Sequence, residues 1–119
     1  MFKKLRFALA FWLALCPAVA FSGDGEGLVE IEYVGNYNGT DKVFFFTTNH
    51  PGRPACNTFY GRWVLDLSTA LGKAQYSLLL AAQNSGKRVR VSGANSCNQW
   101  SDTETATVVG YVVNYGSHP

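Results

Sequence analysis

The sequence has few of the residues from which active sites and metal centres are built. Its 119 residues include two histidines, three cysteines and one methionine, and only 15% are charged. The histidines, His50 and His118, stand in a loop and at the tail, and no Cys, Asp or Glu lies at metal-ligand spacing from either. We therefore predict that both are solvated surface residues and that the chain binds no metal or cofactor.

Carboxylates that could act as an acid–base pair are also scarce. Asp66, Asp102 and Glu104 could in principle pair as glycosidases require. Asp66 is explained more simply by favourable negative charge near the start of a helix, and the other two as residues at the start of a strand. Since no nucleophile, base and orienting group converge in the sequence, we predict that the protein is not an enzyme.

The first 20 residues have the order of a secretory signal peptide. A basic segment at 1–6 precedes an apolar run at 7–15, and small residues at 18–20 form a cleavage signal. The run is short for a membrane anchor and is followed by Pro17, while the bulky Leu15 before Cys16 disfavours lipoprotein processing. We expect cleavage after Ala20. Residues 21–119 would then form a single domain in the periplasm or outside the cell, without a membrane anchor.

Cleavage would also remove much of the positive charge. Three of ten basic residues leave, so seven remain against eight acids and the net charge changes from +2 to −1. A nearly neutral chain lacks the electrostatic footprint of a protein that binds duplex nucleic acid. The two remaining cysteines, Cys56 and Cys97, are expected to form a disulfide, because exported proteins oxidise such pairs.

The remaining pattern predicts five strands and one helix. Alternating or β-branched segments predict strands at 28–34, 42–48, 59–67, 87–93 and 103–115. Asn38 and Gly39 are the strongest hairpin signal. The apolar run at 43–46 predicts a strand that is buried on both faces or has one face covered by a partner. Gly110, inside the last strand, predicts a bend or bulge.

One helix is predicted at 69–85, between the third and fourth strands. Ser68 is the expected N-cap and Gly86 the glycine that ends the helix, while Gly72 is explained by a strand passing close to it. The expected buried face consists of Leu71, Ala74, Leu78, Ala81 and Ala82. The order β-β-β-α-β-β predicts a mainly β protein, a five-stranded OB-type Greek-key barrel with one helix between strands 3 and 4.

Several segments resemble a group of small exported bacterial proteins. They are RWVLDLSTA at 62–70, GKAQYS at 72–77, SGKRV at 85–89, Cys97 and WSDTET at 100–105. More distantly, the group is similar to the binding subunit of subtilase-type cytotoxins, and the resemblance covers roughly residues 56–113. It implies an OB fold, a ring of five copies and binding of sialylated glycans, and none of those subunits' sugar-contacting residues is carried over to this sequence.

Two aromatic residues are difficult to place in the core. Tyr37 lies beside the hairpin turn and Trp100 in the loop after Cys97, where Asn98 and Asp102 flank it. Flat apolar rings with hydrogen-bonding neighbours are what a sugar-binding surface needs, so these four residues are the candidate ligand-binding residues. The alternative is that Trp100 packs over the disulfide as a lid.

Arg88 and Arg90 alternate with valines along the fourth predicted strand. OB barrels use such a face to hold single-stranded nucleic acid or sugars. We favour the alternative, a solvated edge or pairing with Glu30 and Glu32 across the sheet, because the chain is nearly neutral.

Two functions therefore remain open from the sequence. The first is a secreted or periplasmic binding module for a glycan or a protein partner, which could assemble as a homo-pentamer. The second is a monomeric, disulfide-stapled envelope protein that acts as a structural or inhibitor-like interaction module.

Overall fold

The computed structural model describes residues 24–117, so the predicted signal peptide, Cys16 and His118 lie outside the described residues. The predicted order of five strands and one helix is confirmed. The strands and the helix are β1 (Asp24–Tyr37), β2 (Thr40–Asn49), β3 (Trp63–Asp66), α1 (Ala70–Ser85), β4 (Val89–Gly93) and β5 (Glu104–Tyr111), followed by a short 3-10 helix at Tyr115–Ser117.

The five strands form one sheet that closes on itself in the order β1-β2-β3-β5-β4. The long β1 makes closure possible, because its first residues pair with β4 and the rest pair with β2. All junctions are antiparallel except β3–β5, where Trp63 lies beside Glu104 and Val64 beside Thr105. The structure is therefore mainly β, with a five-stranded closed ring and one helix.

The turn between β1 and β2 follows from its two central residues. Asn38 and Gly39 have φ angles of 57° and 81°, and hairpin turns of this kind require positive φ at both positions. The predicted bend at Gly110 is wrong, because Gly110 pairs regularly with Arg90 and the register shift in β4–β5 lies between Ser92 and Gly93.

The core lies inside the ring and beneath the helix. Trp63 and Phe45 stack at 6.4 Å between ring centroids, and both are fully buried. The remaining fully buried apolar side chains of this cluster are Val43, Leu79, Val89 and Val91. Phe44 is not part of this cluster and is still only 2% exposed, so of the two predicted alternatives the structure shows burial of this part of β2 on both faces.

Helix α1 begins one residue later than predicted. Thr69 is the N-cap, and its side chain accepts a hydrogen bond from the Gly72 backbone N–H. Ser68, the predicted N-cap, lies one residue before it, and its backbone N–H donates to Asp66 Oδ1 at 2.7 Å. Hydrogen bonds from Ser68 hold the pKa of Asp66 below its ordinary value, and the side chain of Ser68 contributes more than its backbone N–H. Gly86 ends the helix in a left-handed conformation, as predicted.

The buried face of the helix is displaced by one residue from the prediction. Its buried residues are Gly72, Gln75, Leu79 and Ala82, whereas Leu71 is 65% exposed. The polar Gln75 belongs to this face because its Nε2 donates to the Thr107 carbonyl at 2.9 Å. A pattern of apolar residues could not identify a buried face that includes a glycine and a glutamine.

Replacing Gly72 by alanine is expected to destabilise the fold although alanine favours helices. A Cβ at this position would collide with the backbone carbonyl oxygen of Asp66, which agrees with the predicted close approach of a strand. Overpacking of this kind costs about 1–3 kcal/mol, more than the roughly 1 kcal/mol gained in helix propensity. Urea denaturation should show a net loss of stability. Gly110→Ala is the control, since a Cβ there meets no atom within 4 Å, and equal behaviour of the two variants would contradict the expectation.

Candidate functional site

Four aromatic side chains meet on the outside of the ring, and we call them the aromatic face: Tyr33, Tyr37, Phe44 and Trp100. The Tyr37 and Trp100 ring centroids are 6.0 Å apart, and each ring also packs edge-on against Phe44, at 5.4 and 5.3 Å. Tyr33 also packs edge-on against Phe44, at 6.5 Å between centroids, and is 53% exposed. The structure thus brings together the two aromatic residues that the sequence singled out, although they are 63 positions apart in the chain.

The aromatic face rests on Arg62, which is only 6% exposed. Its Cζ atom lies 4.8 Å from the centroid of Phe44 and 4.2 Å from that of Phe59. Its three nitrogens donate to three different side chains: Nη1 to Glu32 at 2.8 Å, Nη2 to Asp102 at 3.1 Å and Nε to Thr103 at 3.0 Å. Arg62 is therefore a buried charge whose planar guanidinium stacks on two aromatic rings and makes three directed hydrogen bonds.

Asp102 and Asn98, the two polar candidates, have different surroundings. Asp102 Oδ1 accepts hydrogen bonds from Arg62 and from Thr103 Oγ1, and its backbone carbonyl accepts from the N–H groups of Thr58 and Phe59. Asp102 thus joins the β4–β5 connection to the β2–β3 connection. Asn98 is exposed next to Cys97.

The disulfide between Cys56 and Cys97 is confirmed, with the two Cα atoms 6.2 Å apart. It links the same two connections that Asp102 joins by hydrogen bonds. Trp100 follows Cys97 by three residues, so its position over Phe44 depends on a segment held both covalently and by the carboxylate of Asp102.

The prediction that His50 is solvated is wrong. Its side chain is 4% exposed and stacks on Trp63, with ring centroids 3.7 Å apart and planes within 12° of parallel. Nδ1 lies 2.8 Å from the Gly61 carbonyl oxygen and Nε2 lies 2.6 Å from Glu104 Oε1. These partners are 11 and 54 residues away in the chain, so no local pattern could reveal them.

The partners of His50 determine where its hydrogens must be. A carbonyl oxygen can only accept, so Nδ1 carries a hydrogen, and one further proton lies between Nε2 and Glu104 Oε1. The other oxygen of Glu104 accepts the Asn95 backbone N–H at 2.9 Å. Glu104 begins β5, as predicted, and it is also fully buried. Since both ring nitrogens are occupied, this pair forms a structural link between the turn at Gly61 and β5.

Arg88 and Arg90 pair with a carboxylate, although not with the predicted ones. Arg90 Nη2 lies 3.3 Å from Glu26 Oε2, and Arg88 Nη2 lies 3.9 Å from Glu26 Oε1. The reason is the closure of the sheet, since the part of β1 beside β4 is 24–27, whereas Glu32 lies further along and binds Arg62. Both arginines are more than half exposed.

Within residues 24–117, no group of three or more His, Cys, Asp and Glu side chains could hold a metal ion. None of the helices in this range is long and apolar enough to cross a membrane. Comparisons with protein-family models, with curated proteins and with solved structures found no match for this chain. The geometry of the site is therefore the basis for assigning a function.

Proposed function

We propose that this chain is an exported, non-enzymatic binding module with an OB-type Greek-key fold whose aromatic face binds a glycan. The fold assignment is supported by the ring order β1-β2-β3-β5-β4, by the parallel pairing of β3 with β5, and by the helix between β3 and β4. In OB folds, the β1–β2 and β4–β5 loops and the face of strands 2 and 3 bind oligosaccharides and oligonucleotides.

The observation that carries the proposal is the meeting of Tyr37 and Trp100. Tyr37 ends β1 at the hairpin, and Trp100 lies in the β4–β5 connection, so both belong to the loops that OB folds use for ligands. Their rings, with Tyr33, offer apolar surfaces on which a sugar ring can stack, while hydroxyl and amide groups at the edges can bond its hydroxyls.

Charge favours a sugar over a nucleic acid as the ligand. Arg62, which stacks on Phe44, is buried and bonded to two carboxylates, so it is not available to a phosphate backbone. Lys42, which donates to the Tyr37 carbonyl at 2.6 Å, is also buried. Export is supported by the signal-like first 20 residues and by a disulfide, which persists in oxidising compartments.

The resemblance to toxin binding subunits also suggests a ring of five copies. Light scattering on the mature protein tests this part alone, and a pentamer would support it whereas a monomer would contradict it. A monomer that retains no glycan would favour the second hypothesis, a disulfide-stapled interaction module of the envelope.

Loss of a ring from the aromatic face should weaken retention on a glycan array. We expect Tyr33→Ala and Trp100→Ala each to reduce binding by on the order of tenfold, since stacking on one aromatic ring contributes about 1–3 kcal/mol. Trp100→Ala should also lower stability somewhat, because its ring covers Phe44, whereas Tyr33 is exposed enough to be removed with little loss.

The matched control is Tyr115→Ala, which removes an 83% exposed tyrosine outside the aromatic face. It should leave both retention and thermal stability unchanged. If Tyr33→Ala binds like the unmodified protein and Trp100→Ala only loses stability, the rings form a lid and the glycan proposal is wrong.

A further inference from the structure

Apart from the aromatic face, a cavity lies between the end of β2 and the β2–β3 connection, and we call it the second cavity. It has a volume of about 340 Å³, and no residue of the aromatic face lines it. Its polar side chains come from Thr47, Thr48, Asn49, His50, Arg53 and Tyr60. The glycan site proposed above uses none of these residues.

Arg53 is the cation of this cavity. It is exposed and has no carboxylate or hydrogen-bond partner in the described part of the chain, whereas Arg62, Arg88 and Arg90 are all paired with carboxylates. Its guanidinium lies over Gly61, where a side-chain carbon would be only 3.2 Å from Nη1. A guanidinium without a partner presents a planar set of N–H donors suited to an oxyanion.

Tyr60 lines the same cavity in a strained and exposed position. Its φ angle of 54° is left-handed, a conformation that costs a bulky residue on the order of 1–3 kcal/mol. Burial does not offset this cost, because Tyr60 is 83% exposed. Two hydrogen bonds hold this conformation. The Arg62 N–H closes the turn by donating to the Phe59 carbonyl, and His50 Nδ1 binds the Gly61 carbonyl.

The remaining lining groups can donate hydrogen bonds. Thr48 Oγ1 accepts the Leu28 N–H at 2.9 Å, which leaves its own hydrogen available. The side-chain amide of Asn49 has no bond to any residue in 24–117. No lining residue is acidic, and Glu104 beneath His50 is already committed to His50 and Asn95. The cavity therefore combines one cation, several donors and one aromatic ring, without an opposing carboxylate.

We infer that this cavity is a second ligand site, for a small hydroxylated molecule that carries an oxyanion. Arg53 binds the oxyanion, Tyr60 stacks on the body of the ligand, and Thr48 and Asn49 bond its hydroxyl groups. The buried link between His50 and Glu104 is a positioning device, because it fixes Gly61 and so keeps Tyr60 beside Arg53.

The test is a titration of the full mature protein, followed by amide NMR at constant ionic strength. The probes are a glucose phosphate, glucuronate, glucose and inorganic phosphate. We expect the glucose phosphate or glucuronate to shift the amide signals of Tyr60 and Gly61, and glucose to leave them unchanged. Of the two charged probes, the one with the lower dissociation constant identifies the oxyanion that the site prefers. Absence of saturable binding at millimolar concentrations, or equal binding of glucose, would overturn the inference. Inorganic phosphate binding as tightly as the sugar derivative would rule out the role of Tyr60.

Variants separate this site from the aromatic face. Arg53→Gln should weaken binding of the charged probe by on the order of tenfold, because a charge-assisted bond is lost. Arg90→Gln, which removes an exposed arginine already paired with Glu26, should change it by less than about twofold. Trp100→Ala should not affect this probe, so failure of the glycan proposal leaves this result intact. Unchanged binding by Arg53→Gln would overturn the inference.

Discussion

Replacing Arg62 by alanine is expected to lower the free energy of unfolding by about 3 kcal/mol. Removing one member of a buried ion pair costs roughly 3–5 kcal/mol, because the remaining charge loses its partner. The lower end of this range applies, since the side chains of Glu32 and Asp102 are 24% and 36% exposed and water can partly replace the guanidinium. The loss also includes the stacking of Arg62 between Phe44 and Phe59.

Chemical denaturation of Arg62→Ala and Arg90→Ala provides a matched comparison. Arg90 also pairs with a carboxylate, but its side chain is 62% exposed, and exposed pairs contribute about 0–1 kcal/mol. Arg62→Lys should recover only part of the loss, because an ammonium group keeps the charge but cannot make the same directed bonds. A similar small loss for Arg62→Ala and Arg90→Ala would show that Arg62 is not the anchor of the aromatic face.

Removing His50 should have an effect of similar size, by a different mechanism. His50→Ala leaves Glu104 fully buried with the Asn95 N–H as its remaining hydrogen-bond partner, and it removes the ring stacked on Trp63. Leaving a buried polar group without its hydrogen-bond partner costs about 1–3 kcal/mol, and the lost stacking on Trp63 adds to this, so the sum is a large part of the stability of a small domain. We expect a lower denaturation midpoint and disorder of the turn at Gly61.

A double-mutant cycle separates the interaction energy between His50 and Glu104 from the contribution of packing. His50→Ala should cost less in the Glu104→Gln background, by roughly 1–2 kcal/mol, because the hydrogen bond between imidazole and carboxyl group is already absent there. The cavity and the lost stacking on Trp63 are the same in both backgrounds, so they cancel. An equal cost in both backgrounds would mean that His50 stabilises the fold only by packing.

Arg62 and His50 have corresponding positions relative to the two proposed ligand sites. Arg62 supports Phe44 and holds Asp102, and so positions Trp100 on the aromatic face. His50 holds Gly61 and so positions Tyr60 at the second cavity. Both are buried polar groups close to β3, and each holds in place one residue of a proposed site.

The sequence alone determined the elements that depend on neighbouring residues. Asn38 and Gly39 specify the hairpin and Gly86 specifies the end of the helix, because turn and cap chemistry act over short range. The pairing of Cys56 with Cys97 followed from the expectation that Cys16 belongs to a signal peptide. The order of strands and helix followed from the same local signals. The predicted N-cap, Ser68, was one residue from the observed one, Thr69, because serine and threonine side chains can both accept the capping hydrogen bond.

Only the tertiary structure decided which polar and aromatic residues meet. His50 was predicted to be a surface residue because its partner Glu104 is 54 positions away, and the partner of Arg62, Asp102, is 40 positions away. Closure of the sheet brings Glu104 beside Trp63, and it brings the β4–β5 connection over β2, where Trp100 contacts Phe44. A buried charge is tolerated only with its partner in place, so its identity depends on contacts that no local pattern contains.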